Sequence, residues 1–287
     1  VRPDFTPFGT QAEKGIKGGL IMESHSAYDT IIEANNPVDT IVRHSDGGVI
    51  YTVARPEHRQ GILEVLARAF VNEPSTAGQS IDRPGYYDWY RFTEFYMDEC
   101  ITNGLSIVAL DGLDGRTVAG AFINRDFLRP PDPRIIEFVS EPSPFAPVVG
   151  ALDVIDKAWF AVHPEIDRTE VGRVVDLWMV GVHPGYRSRR IASNLSALSL
   201  QHVAKAGFDY AIVECTGAFS QRAMQAAGCT PVYELPYTDF RWHGEAVFRD
   251  VPGPHTKWVI YEKKLTASRS RAHEDRVVAD TAERRPS

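Results

Sequence analysis

The chain has 287 residues, of which 43% are hydrophobic and 24% charged, with a formal net charge of −7. That length and balance describe one large globular domain or two small ones, and the negative charge argues against general nucleic-acid binding. No apolar run approaches the ~20 residues of a membrane span, and three cysteines without ligand spacing exclude a disulfide framework and a metal site of the common kinds.

Residues 1–48 read as an extension that packs on the domain in part. The opening VRPDFTPFG lacks the charged-then-apolar layout of a signal peptide, which together with the unpaired cysteines predicts a cytoplasmic location. Gly47-Gly48 turns into a first strand over 49–53, rich in β-formers. A helix follows from Pro56, with Ile62, Leu66, Ala69 and Phe70 at helical spacing. It should stop before Pro74, which leaves Glu73 at a helix C-terminus, where the dipole disfavours an acid. Local sequence alone favours a solvated surface role for it.

A second helix is expected over 86–103, with Trp89, Phe92, Tyr96 and Cys100 on one face and Gly104 as its stop. Strands over 105–110 and 117–124 flank a turn with two Asp-Gly steps. Six prolines between 129 and 147 predict an irregular covering loop. A helix over 151–162 presents Leu152, Ile155, Trp159 and Val162.

The run over 174–182 is almost continuously apolar, as a central strand is. Beyond it, Arg187, Arg189 and Arg190 crowd a helix start. A helix N-terminus offers unpaired N–H groups and partial positive charge, so cations there make sense if an anion lies between them. The helix continues through Ile191, Leu195, Leu198 and His202, a packing histidine, to Gly207. A strand over 210–215, a helix through Ala223, Met224 and Ala227, and strands over 231–240 and 256–265 complete an α+β domain spanning 49–266, with at least one β-α-β crossover. Residues 267–287 read as a charged, disordered tail.

HPGYRSRRIA after a buried strand, and SQRAMQAAGC opening the next helix, resemble the GNAT superfamily of acyl-CoA-dependent N-acyltransferases. The family's phosphate-loop signature, Gln/Arg-x-x-Gly-x-Gly/Ala, falls on Arg187-Ser188-Arg189-Arg190-Ile191-Ala192, with Arg190 in place of the central glycine. The segments 70–74, 215–222, 237–240, 244–248 and 254–263 resemble the arylalkylamine and dopamine N-acetyltransferase branch. The first 48 residues and the stretch 129–170 have no counterpart in it.

The resemblance implies a mixed, mostly antiparallel twisted sheet with helices on both faces and a splay between two central parallel strands. The backbone of Met179, Val180 and Val182 would pair with the pantetheine arm of acetyl-CoA or another acyl-CoA. Residues Arg187 to Ala192 would hold the pyrophosphate, with Arg222 adding a further contact. Glu73 would be the general base that takes the amine's proton. The acid of many family members is a tyrosine; Met224 stands there, so Thr216 and Ser220 are the implied proton donors, with helix capping as the alternative for both. Cys215 lacks a histidine–acid arrangement for covalent catalysis, and His255 is structural or lines the substrate site. Three readings follow. The first is an enzyme that moves an acyl group, acetyl in the first instance, to a small-molecule amine in a ternary complex. The second takes its acyl group from an acyl carrier protein or another unusual acyl thioester, in small-molecule biosynthesis. The third is a non-catalytic acyl-CoA-binding module. None involves nucleic acid, membrane or metal.

Overall fold

The computed structural model describes residues 42–43 and 48–265. The rest of the 1–48 extension and the 267–287 tail lie outside them. Eight strands form one sheet: β1 (Val42–Arg43), β2 (Val49–Val53), β3 (Ile107–Asp111), β4 (Val118–Asp126), β5 (Val174–Val182), β6 (Tyr210–Cys215), β7 (Thr230–Pro236) and β8 (Lys257–Lys264). Their order across the sheet is β1-β2-β3-β4-β5-β6-β8-β7, and only β5 and β6 are parallel neighbours. The helices are α1 (Arg59–Phe70), α2 (Pro74–Ala77), α3 (Tyr86–Thr102), α4 (Pro133–Val139), α5 (Ala146–Val162), α6 (Ile191–Lys205) and α7 (Ala218–Ala226). The expected α+β class, with its mostly antiparallel sheet, is the observed one.

Both faces of the sheet are covered because its central strands are apolar on both sides. On one face, Ile191, Leu195 and Val203 of α6 and Met224 of α7 pack on Val175, Leu177, Val213 and Cys215. On the other, Ile62, Leu63 and Leu66 of α1 and Trp89 and Met97 of α3 pack on Val108, Ala121, Ile123 and Met179. Ile155 and Trp159 of α5 cover Val174, Ile212, Ile260 and Trp258 on that same side.

Two details of register position the site. First, β5 and β6 pair only from Val174↔Tyr210 to Asp176↔Ile212; beyond that the strands part, although β5 runs on to Val182 and β6 to Cys215. This is the expected splay. Second, Ile123 faces Met179 while the next residue, Asn124, faces Leu177, so Trp178 is an extra residue in β5. A bulge of this kind leaves a residue out of the ladder and re-aims its neighbours. Leu177 accordingly packs with α6 and Met179 with α1.

The stretch 129–147 is not the irregular loop expected from its prolines. It contains α4, whose first turn is capped by Asp132 accepting from the Arg134 N–H at 2.8 Å. It also contains the start of α5, five residues earlier than expected. Pro133 and Pro147 both sit in first turns, where a missing N–H and a fixed φ suit the helix. At the other end of the chain β7 stops at Pro236 rather than running to Phe240.

Candidate active site

A cavity of about 290 Å³ passes through the splay. Its walls come from the end of α1 (Ala69, Phe70, then Asn72 and Glu73), from α3 (Trp89, Phe92), from Phe145 and the first turns of α5, from Leu177 to Val180 of β5, from Val213 to Thr216 on β6, and from Phe219, Ser220 and Met224 of α7, with His255 beside them. Aromatic rings form the α3 side. Phe92 stacks on Phe145 at 4.9 Å between centroids, Trp89 meets Phe145 edge-on at 4.9 Å, and Trp178, set out by the bulge, lies 5.4 Å from Phe92. The Trp89 ring nitrogen is buried without a hydrogen-bond partner among the described residues.

Glu73 does not hang off the end of α1. Helix α1 ends at Phe70, and Glu73 is the N-cap of α2, in an extended conformation. The earlier reading of an acid at an unfavourable helix end is therefore corrected: a four-residue helix follows, and its N–H groups face the carboxylate. Oε2 accepts from the Thr76 N–H at 3.0 Å, from Ser75 Oγ at 2.5 Å and from Thr76 Oγ1 at 3.4 Å. Oε1 accepts only from the Ser75 N–H at 3.1 Å, which leaves it a lone pair. Glu73 is 8% exposed and lines the cavity, so the surface-acid reading fails.

Thr216 and Ser220 also reach the cavity. Neither caps α7. Gly217 is the N-cap, and the Ala218 N–H donates to His255 Nδ1 at 3.1 Å, so a histidine from outside the helix does the capping. Ser220 Oγ donates to the Gly217 carbonyl at 2.9 Å, which occupies its proton. Burial raises the Cys215 thiol far above its ordinary value, which makes it a poor nucleophile. Of the backbone expected to meet pantetheine, Met179 and Val180 line the cavity, whereas Val182 does not. Arg222 is exposed on α7, where it donates to the Ala218 carbonyl at 3.2 Å and lies over the Phe219 ring; it does not line the cavity.

The arginine loop continues from the end of β5. A 3₁₀ turn, Pro184–Tyr186, leads into it, and the Tyr186 hydroxyl donates to Asp111. Arg187, Arg189 and Arg190 are all exposed, and none has a carboxylate within 4.0 Å among the described residues. Ser188 and Arg190 have φ of 66° and 58°. Arg190 is the N-cap of α6 in the left-handed region. Glycine adopts that conformation without strain, so the loop keeps its shape although the glycine is missing. A left-handed arginine is strained by about 1–2 kcal/mol, against about 0.4–1 kcal/mol lost to the freer unfolded chain on going to glycine. Arg190→Gly should therefore raise the melting temperature by about 2 °C. A fall measured by calorimetry would show that the arginine side chain holds the loop.

A row of charges, missed at sequence level, runs beside the cavity, and its Glu214 lines the wall. Arg125 of β4 pairs directly with Asp176 of β5, and its Nε donates to Asp176 Oδ2 at 3.2 Å. Asp176 in turn lies opposite Ile212 of β6, and Glu214 follows two residues on, so its side chain shares that face. The Asp156 carboxyl of α5 lies against that of Glu214. Burial, then the charge of Asp156, pushes the Glu214 carboxyl up to about 8. Burial likewise raises Asp156 to about 6 and holds Asp176 well above the usual carboxylate range despite Arg125. The sequence signal was a lone acid in each of two apolar strands.

No family model matches the chain. Solved structures do. The C-terminal condensation domain of Ebony, in complex with β-alanyl-dopamine, superposes with a TM-score of 0.64 at 15% identity, over 75% of this chain and 98% of that one. Arylalkylamine N-acetyltransferase 2 from Aedes aegypti gives 0.60 at 18% identity, over 76% and 99%. The Drosophila melanogaster polyamine N-acetyltransferase that forms N-acetylagmatine gives 0.60 at 19%, over 76% and 100%. At these identities the likeness is one of fold, and the described domain has the GNAT fold that these proteins share.

Proposed function

We propose that the protein is an N-acyltransferase that moves an acyl group, acetyl in the simplest case, from coenzyme A to the amine of a small molecule. The observation that carries this is the cavity through the β5–β6 splay, with Glu73 on its wall and an exposed arginine loop after the end of the same strand. The pantetheine arm lies along Met179 and Val180, and Arg187 to Ala192 hold the pyrophosphate. The bulge at Trp178 leaves backbone outside the β4 ladder, able to polarise the thioester carbonyl. The amine nitrogen attacks that carbonyl directly, Glu73 Oε1 takes a proton from it as the C–N bond forms, and the C–S bond breaks with its electron pair on sulfur. The Thr216 hydroxyl, not spent on a cap, protonates the thiolate. Amines fit as acceptors because the wall is aromatic and acidic together, a combination that attracts organic cations.

A coenzyme-release assay over a panel of amines and acyl donors, with mass detection of the amide, tests this reading. Coenzyme A binding without any amide product would favour the non-catalytic module. The likeness to a condensation domain supports a second reading, in which the donor is an acyl group on a carrier protein and the arginine loop docks the carrier. Turnover of a carrier thioester but not of the free acyl-CoA would select it. With a free acyl-CoA donor, Arg187→Ala should raise the donor KM about tenfold, the value of one charged hydrogen bond, and leave kcat nearly unchanged. A kcat loss with constant KM would remove Arg187 from the phosphate site.

A further inference from the structure

We propose that the Glu214–Asp156 carboxyl pair takes the proton from the acceptor's ammonium group before attack, with Glu214 as a catalytic residue and Asp156 as the residue that positions it. This rests on the acyl-transfer reading. That reaction has two protons to remove from nitrogen. An amine arrives mostly as its ammonium, which has no lone pair to attack with. After attack, the nitrogen of the tetrahedral intermediate must lose a second proton. Glu73 is one base, and its carboxylate already accepts four hydrogen bonds.

Glu214 is the other acid that reaches the cavity. It stands one residue before Cys215, on the part of β6 that has left β5. Two carboxyl groups in contact hold at least one proton between them, and with Glu214 raised to about 8 and Asp156 to about 6 the pair near neutral pH carries one proton and one negative charge. The remaining charge has no cation of its own. Arg125 is engaged by Asp176, and among the described residues no donor reaches Oδ1 of Asp156. The groups facing the pair are Arg125 from β4, Asp176 from β5, Asp153 from α5 itself and, beyond Arg125, Tyr96 from α3. Acids outnumber the one cation, so the pair attracts a positive group and retains a proton taken from it.

The cavity independently points to an occupant of this kind. Phe92, Phe145 and Trp178 supply ring faces for a cation. Trp89, 5% exposed, adds a further ring to the same wall. In the step itself an ammonium N–H bond breaks, its electron pair stays on nitrogen, and the proton joins the free oxygen of Glu214 as the proton held between the two carboxyls passes to Asp156. The neutral amine then attacks, and its second proton goes to Glu73. The pair returns its proton to solvent when the product leaves.

The test compares two acceptors of similar shape: a primary alkylamine, charged at neutral pH, and an O-alkylhydroxylamine, uncharged there. Glu214→Gln should lower kcat/KM for the alkylamine about 100-fold and leave the hydroxylamine within about threefold. Asp156→Asn removes the charge and the hydrogen bond that hold Glu214 up, so the pH profile for the alkylamine should move to lower pH. Equal losses on both acceptors in Glu214→Gln, or an unmoved profile in Asp156→Asn, would overturn the proposal while acyl transfer stands. A wild-type protein that acylates no amine overturns the acyl-transfer reading, and this one with it.

Discussion

Glu73→Gln is expected to lower kcat at neutral pH by about 100- to 1,000-fold while the affinity for acyl-CoA holds within about twofold. The side chain has two jobs whose magnitudes differ enough to separate. As the cap of α2 it accepts from the N–H groups of Ser75 and Thr76. Glutamine keeps one acceptor oxygen but turns an NH₂ toward the other donor, so the cap loses about 1 kcal/mol. As a base it loses everything, because an amide oxygen does not take up a proton at neutral pH. A 1,000-fold rate loss corresponds to about 4 kcal/mol in the barrier, well beyond what the cap can explain. Ser75→Ala is the control. It removes the 2.5 Å hydrogen bond to Oε2 and should destabilise to a similar degree, yet keep most of the rate. If Glu73→Gln and Ser75→Ala lose activity in parallel, Glu73 acts only as a cap.

What was legible in the sequence follows from how local each signal is. The strand over 174–182 was found to the residue, because a strand buried on both faces is apolar throughout. The arginine loop was visible as misplaced charge, and its place after that strand held. The prolines misled. At 133 and 147 they begin helices rather than break them, and a pattern of prolines does not distinguish the two cases. Glu73 was legible as an anomaly but given the wrong reason, since a helix of four residues has no periodicity to detect. Trp178 was invisible as a bulge, because a bulge exists only relative to the partner strand. The charge row was out of reach for the same reason. Arg125, Asp156, Asp176 and Glu214 sit on four separate elements, and only the sheet order brings them to one face.

That charge row makes the second large prediction. Arg125→Met should destabilise the fold by about 3–5 kcal/mol, the usual consequence of removing one partner of a buried ion pair. The melting temperature should fall by about 10 °C. The guanidinium is 15% exposed and Asp176 2%. It also lies over the rings of Tyr96 at 5.4 Å and Trp178 at 5.6 Å, contacts that methionine keeps only in part. What distinguishes lost charge from lost packing is pH. Asp156 and Glu214 have carboxyls raised to about 6 and about 8, and Asp176 is raised as well. Between the ordinary carboxylate range and pH 8 the folded protein thus holds more protons than the unfolded chain, so stability falls as pH rises through this window. The wild type should be more stable near pH 5 than near pH 8, by up to several kcal/mol. Arg125 moderates that slope by favouring the ionised forms. Without it the slope should steepen, so the loss in Arg125→Met is largest near pH 8 and smallest near pH 5. Asp176→Asn in the same chain should recover most of the loss, since the carboxylate that Arg125 pairs with is then gone, and the double-mutant cycle measures the coupling. A loss that is the same at both pH values, with no recovery from Asp176→Asn, would make Arg125 a packing residue and leave the carboxyls uncharged in the folded protein.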